Sequence, residues 1–247
     1  MAVPAATLAP FAGSALGLQK TTIRFFAPPM AEQHKTAHLW GDVNPARGSN
    51  ATVKLQRLVN GSWQTVAHLA VLHGAGYDTN LPVPKSGWRT YRTCVGATST
   101  AAAACSHKRR FFVGNWHYIN TITPVSATSG YSTGQGVTDG APMKHALKFE
   151  SSSPQTVVFN LHGTCVYASV RYSVDDSAEQ NGVANGTFKF YEDGALVGTY
   201  PISPGPAYDL QVKPEGVKLF KITTSATGDP GYHGPLLLSF ADAFCGW

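Results

Sequence analysis

The sequence predicts an all-β chain of two β-sandwich domains, an immunoglobulin-like module followed by a second sandwich. Short runs of alternating apolar and polar residues recur, as in Thr52-Val53-Lys54-Leu55-Gln56-Arg57-Leu58 and in Val166 to Tyr172. Period two puts one face of a strand into a core and the other into water. Turn signals punctuate these runs, most clearly Asn60-Gly61 and Glu192-Asp193-Gly194, both hairpin chemistry. With 247 residues the chain is long enough for two cores.

Residues 1 to 20 are an Ala- and Leu-rich arm or linker, without the basic start of a signal peptide. An extended strand docking on a neighbouring molecule is the sharper reading of this arm, so a homo-oligomer enters as a partner. From Thr21 the pattern turns to strands. Thr22 to Phe26 ends at Pro28-Pro29, and His38-Leu39-Trp40 ends at Asn44-Pro45. Thr52 to Leu58 and Trp63 to Val66 flank Asn60-Gly61, and Tyr77 to Leu81, Trp88 to Cys94 and Arg110 to Val113 follow. This number and spacing of strands over residues 21 to 113 suits an immunoglobulin-like sandwich.

In order and wording, the runs Ala51 to Arg57, Gly61 to Ala67, Gly76-Tyr77 and Gly87 to Arg92 resemble the bacterial immunoglobulin-like modules of secreted actinobacterial proteins. Such modules are spacers or adhesive stalks, so the resemblance implies no chemistry.

The second domain starts near Trp116-His117-Tyr118 and runs to residue 247. Lys144 to Phe149, Thr156 to Leu161, Val166 to Tyr172, Thr187 to Tyr191, Ala195 to Tyr200, Tyr208 to Val212, Lys218 to Thr223 and Leu236 to Phe240 are its expected strands. One wet and one apolar face per strand implies two antiparallel sheets packed face to face.

Six stretches of this block resemble the NPCBM/NEW2 domain, a carbohydrate-binding module that accompanies bacterial glycoside hydrolases. They are Tyr118-Ile119-Asn120, Thr133-Gly134 with Asp139-Gly140, His145 to Phe149, Val170 to Asp176, Phe188 to Gly194 and Ser239 to Ala243. The resemblance implies a β-sandwich that recognises sugar. The chain departs from the family's pattern at Phe240, where members often carry Trp.

Composition excludes other classes. Charged residues make up 13% of the chain and the net charge is +5. The basic run His107 to Arg110 leads straight into Phe111-Phe112-Val113, with no basic stripe continuing beyond it. That argues against a nucleic-acid partner. No apolar run reaches the roughly 18 residues of a membrane span, so no membrane insertion is expected.

The cysteines Cys94, Cys105, Cys165 and Cys245 form no CxxC pair and have no histidines at zinc spacing. Of three possible connectivities, Cys94–Cys105 with Cys165–Cys245 keeps each bridge inside one domain. Two disulfides place the chain in an oxidising compartment, secreted or at the cell surface.

Three groups of residues bear on chemistry. Gly130-Tyr131-Ser132-Thr133-Gly134 matches the nucleophile-elbow motif, but no helical period follows it, so it is expected to be a loop. Asp175 and Asp176 are adjacent at a strand end and point to different faces. They suit turn capping or a calcium site, calcium being the one cofactor considered, rather than the paired carboxylates of glycoside hydrolysis. The loop Gly228 to Gly234, with Asp229, Tyr232 and His233, is the candidate ligand rim, joined by His145 and Tyr191. Sugar sites combine an aromatic face with convergent polar groups. The expected function is glycan binding by loops of the second domain, without catalysis, with the first domain as spacer. The alternative is a structural or adhesive surface protein that self-assembles.

Overall fold

The computed structural model describes residues 18–46, 51–72, 75–149, 154–177, 183–228 and 235–247. Strand is the dominant structure of the described residues. In chain order the strands are β1 (Thr22–Phe26), β2 (Met30–Glu32), β3 (Thr36–Asn44), β4 (Thr52–Val59), β5 (Ser62–Ala70), β6 (Gly76–Pro82), β7 (Gly87–Val95), β8 (Ala104–Cys105), β9 (Arg109–Tyr118) and β10 (Ser126–Ala127). There follow β11 (Tyr131–Thr138), β12 (Ala141–Phe149), β13 (Gln155–Asn160), β14 (Cys165–Val174), β15 (Val183–Glu192), β16 (Ala195–Ile202), β17 (Tyr208–Val212), β18 (Leu219–Gly228) and β19 (Leu236–Cys245). The all-β sandwich class expected from the alternation is the one found.

The chain divides into two compact units. The first takes the segments ending at Pro28, His38–Leu81 and Arg89–Arg110. In it β1 pairs with β3 and β3 with β6, while β4 lies between β5 and β7. The β4–β5 turn is Asn60-Gly61, both at positive φ (48° and 79°), as the tight hairpin turn requires. The core holds Ile23, Phe25, Leu39, Val43, Val53, Leu55 and Tyr91. Buried Tyr77 links its sheets: the phenol donates to the Arg24 carbonyl (2.6 Å) and hydrogen-bonds the Thr93 hydroxyl (2.7 Å). Burial pushes its pKa up to about 12. Gly41 makes room for it, since a Cβ there would sit 2.3 Å from that phenol oxygen.

The second unit takes Pro29–Ala37, Pro82–Trp88 and Phe111–Trp247. β2 adds to β9 in parallel, Ala31 opposite Val113. One sheet runs β10-β13-β18-β15-β16. The other is built around β19, whose first half lies between β12 and β14 and whose second half lies between β9 and β14; β17 adds to β14 and β11 to β12. The core between them includes Phe149, Phe159, Val170, Phe188, Phe190, Phe220, Ile222 and Leu238. Asp193 and Gly194 turn β15 into β16 at positive φ (47° and 89°).

Both expected disulfides are present. Cys94 and Cys105 are register partners on β7 and β8, and Cys165 and Cys245 on β14 and β19. The Gly130–Gly134 motif differs from its expectation as a loop. Tyr131 to Gly134 form the start of β11, with Ser132 opposite Lys148. Tyr131 and Thr133 favour strand and Gly134 does not, and the ladder to β12 holds all of them extended.

Candidate functional site

Among the described residues, the outer face of β9, β19 and β14 brings polar and aromatic side chains of the second unit together. Side chains two apart on a strand share a face, and antiparallel register aligns them across strands. Tyr118, Asp242 and Ser169 form one cross-strand row; Trp116, Phe244 and Tyr167 form the next. The opposite faces of β14 and β19 place Ala168, Val170, Ala243 and Cys245 in the core.

The second row is an aromatic cluster. Phe244 is buried beneath Trp116 (centroids 5.1 Å apart, 64° between planes), and Trp116 meets Tyr167 edge to face at 5.8 Å. Trp116 and Tyr118 nevertheless remain 45% and 43% exposed, so both offer ring surface to a ligand. Together with Tyr167, Ser169 and Asp242 they line an open groove of about 580 Å³, within the usual range for small-ligand sites.

Asp242 is half-buried in this aromatic wall. Its Oδ1 is buried and has no hydrogen-bond partner among the described residues. Burial raises its pKa above the ordinary 3.8, and the neighbouring His145 pulls it the other way. A carboxylate left short of donors costs free energy.

His145 reaches this site from β12, stacked on Tyr118. Its backbone is left-handed (φ 55°), an uncommon state for a residue with a side chain. The cause is a bulge: Gly134 pairs with Ala146 and Gly136 with Met143, so Lys144 and His145 together oppose Gln135. Bulges re-aim side chains, and here one delivers an exposed imidazole to the groove's edge.

Tyr191 is on β15 in the opposite sheet, with the Lys221 ammonium 3.9 Å from its ring centre. Asp229, Tyr232 and His233 lie outside the described residues, as does most of the 1–20 arm. Asp175 accepts from the Val137 and Ser177 amides (3.1 and 2.9 Å) and from the Ser177 hydroxyl. Asp176 accepts from the Asp139 and Gly140 amides (2.8 and 3.0 Å). All four oxygens are thus engaged, three by β11 and the β11–β12 turn and one by Ser177, and among the described residues no group of three or more metal-ligating side chains assembles.

Sequence reasoning missed Trp116, Tyr118, Tyr167, Ser169 and Asp242 as a set. The available signal was the alternation Trp116-x-Tyr118 and Tyr167-x-Ser169, which fixes a shared face within each strand.

Among solved structures, the CBM51-2 and INT domains of Clostridium perfringens ZmpB, in complex with GlcNAc, are similar at 18% identity and a TM-score of 0.46. The match covers 65% of this chain and 38% of that one, so the chain spans less than half of its length. CBM51 from Clostridium perfringens GH95, in complex with methyl-galactose, is 18% identical with a TM-score of 0.41, covering 52% of this chain and 99% of that one. No protein-family model and no curated protein matches the chain.

Proposed function

We propose that the chain is a secreted, non-catalytic carbohydrate-binding protein whose sugar lies in the groove of Trp116, Tyr118, Tyr167, Ser169 and Asp242. The observation that carries this is the pair of exposed rings on one sheet face beside a half-buried, under-satisfied carboxylate. A pyranose presents an apolar C–H face to an aromatic ring and a rim of hydroxyls to polar groups, which is the complement of this groove. Ser169 adds a hydroxyl able to donate and accept. The resemblance of residues 116 to 247 to the NPCBM/NEW2 domain supports the same reading. Binding rather than hydrolysis is favoured because Asp242 is the one carboxylate among the described residues lining the groove, and glycoside hydrolysis uses two. The two disulfides suit an oxidising, extracellular setting.

A glycan array followed by calorimetry on the whole chain tests this. Saturable binding is expected, weakened at least tenfold in Trp116→Ala, about the value of one lost base-type aromatic stack, with the disulfides and strand content intact. No hit on the array would defeat the function, and undiminished binding by Trp116→Ala would defeat the site.

A further inference from the structure

We infer that the first unit carries a second binding site, for the carboxylate or sulfate group of an acidic sugar, in a groove beside the Cys94–Cys105 disulfide. The groove is open and shallow, of about 470 Å³, and is lined by Lys54, Gln56, Arg92, Val95, Ala103 and the two half-cystines, among others. Both charged residues in its lining are cations, and none is an acid.

Arg92 is held for recognition. Its Nε donates to Gln56 Oε1 at 2.8 Å, and its guanidinium carbon lies 4.2 Å from the Trp63 ring centre. Gln56 and Arg92 are register partners on β4 and β7, as are Lys54 and Cys94, so the two cations occupy one face two residues apart on adjoining strands. A guanidinium fixed at Nε and along one face keeps its two terminal amino groups as the remaining donor edge. That edge matches an oxyanion with two parallel hydrogen bonds. Among the described residues no carboxylate engages Lys54 or Arg92. Lys54 adds a mobile ammonium whose charge favours the same anion.

The volume argues against a bare inorganic ion, because it is that of a small-organic-ligand site. Ala103, Ala104 and the disulfide offer apolar contact to the body that carries the anion. The choice of a sugar as that body rests on the function proposed above; the anion chemistry does not. The basic sequence pI of about 9.0 assists capture of acidic polymers by long-range attraction.

The test follows the Arg92 Nε–H signal of the whole chain by ¹⁵N-edited NMR. Glucuronate and galactose 6-sulfate are expected to shift it saturably, while glucose leaves it in place. Arg92→Lys, whose affinity is read by calorimetry because the reporter is gone, keeps the charge but loses the planar fork, and is expected to weaken binding roughly tenfold. Lys54→Gln, at an exposed position that leaves the fold intact, is expected to weaken it several-fold. No saturable shift, an equal response to glucose, or affinity unchanged in both variants would overturn the site. Inorganic sulfate or poly-glutamate binding as tightly as the sugars would overturn the acidic sugar as its ligand. Repeating the titration in Trp116→Ala separates the two sites: the shift persists there even if the groove of the second unit binds nothing.

Discussion

The His145 imidazole lies nearly parallel to the Tyr118 phenol ring, with centroids 4.2 Å apart and planes 13° apart. The two residues come from β12 and β9, strands that each pair with β19 along a different part of its length. The stack therefore ties the two flanking strands together and fixes the attitude of one exposed ring of the groove. It does so from a backbone conformation that only glycine adopts at no cost.

Two variants at this position separate the ring from the backbone. His145→Ala removes the stack, worth about 1 kcal/mol, and keeps the strained φ. His145→Gly removes the stack and relieves the strain, so it is expected to be about 1 kcal/mol more stable than the alanine variant. Both are expected to bind sugar several-fold more weakly than the parent. Urea unfolding measures the first comparison and calorimetry the second; alanine being the more stable variant would refute the strain argument.

Asp242 predicts a pH dependence with a definite sign. Its folded pKa is raised by burial, so the fold favours the neutral carboxyl. That contribution is complete below the ordinary value of 3.8 and is lost as pH climbs through the higher folded value. Asp242→Asn stays neutral throughout. The Tm of the variant minus that of the parent is expected to grow between pH 3 and pH 7. Sugar affinity at pH 7 is expected to fall in the variant, because a charged acceptor makes the stronger hydrogen bond. A Tm difference that shrinks with rising pH would show that the carboxylate is stabilised in the fold.

The Asp176 carboxylate holds the amides of Asp139 and Gly140 in a turn where both residues have positive φ (47° and 70°). Asp176→Ala is expected to cost about 1 to 2 kcal/mol in urea unfolding, the size of a lost turn cap. Since Asp175 is also fully engaged with amides and a hydroxyl, added calcium is expected to leave the Tm of the parent unchanged. A calcium-dependent rise in Tm that disappears in Asp176→Ala would instead assign the pair to a cation.

Much of this architecture was legible because it is local. Asn60-Gly61 and Asp193-Gly194 turn where their chemistry says, and strand β1 has the bounds its alternation gives. The bridges followed from keeping each pair within one domain. The groove was not legible, because it depends on register between strands far apart in the chain. Trp116 and Tyr118 share a face with Asp242 only through the β9–β19 ladder, and Tyr167 and Ser169 join them only through β14–β19. His145 was singled out from sequence, yet the bulge that re-aims it arises from the Gly134–Gly136 register shift against β12, which no local rule announces. The first strand of the parallel β2–β9 contact is only three residues long, too short for periodicity to show.

The two disulfides should differ in what they contribute. Cys165–Cys245 closes a separation of 80 residues and Cys94–Cys105 one of 11. In the chain-entropy model these correspond to about 4.5 and about 3 kcal/mol. Packing widens the gap: Cys165 and Cys245 are both fully buried in the core of the second unit, whereas Cys105 is exposed. Replacing the core pair with alanine also removes buried volume between β14 and β19, directly behind the row of Trp116, Phe244 and Tyr167. The Cys165→Ala/Cys245→Ala variant is therefore expected to lose both stability and sugar affinity. Cys94→Ala/Cys105→Ala is expected to lose less stability and to leave the groove of the second unit unaffected. Parallel urea unfolding and calorimetry on the two variants check this, and equal losses of affinity would mean that the bridge between β14 and β19 does not set the groove's geometry.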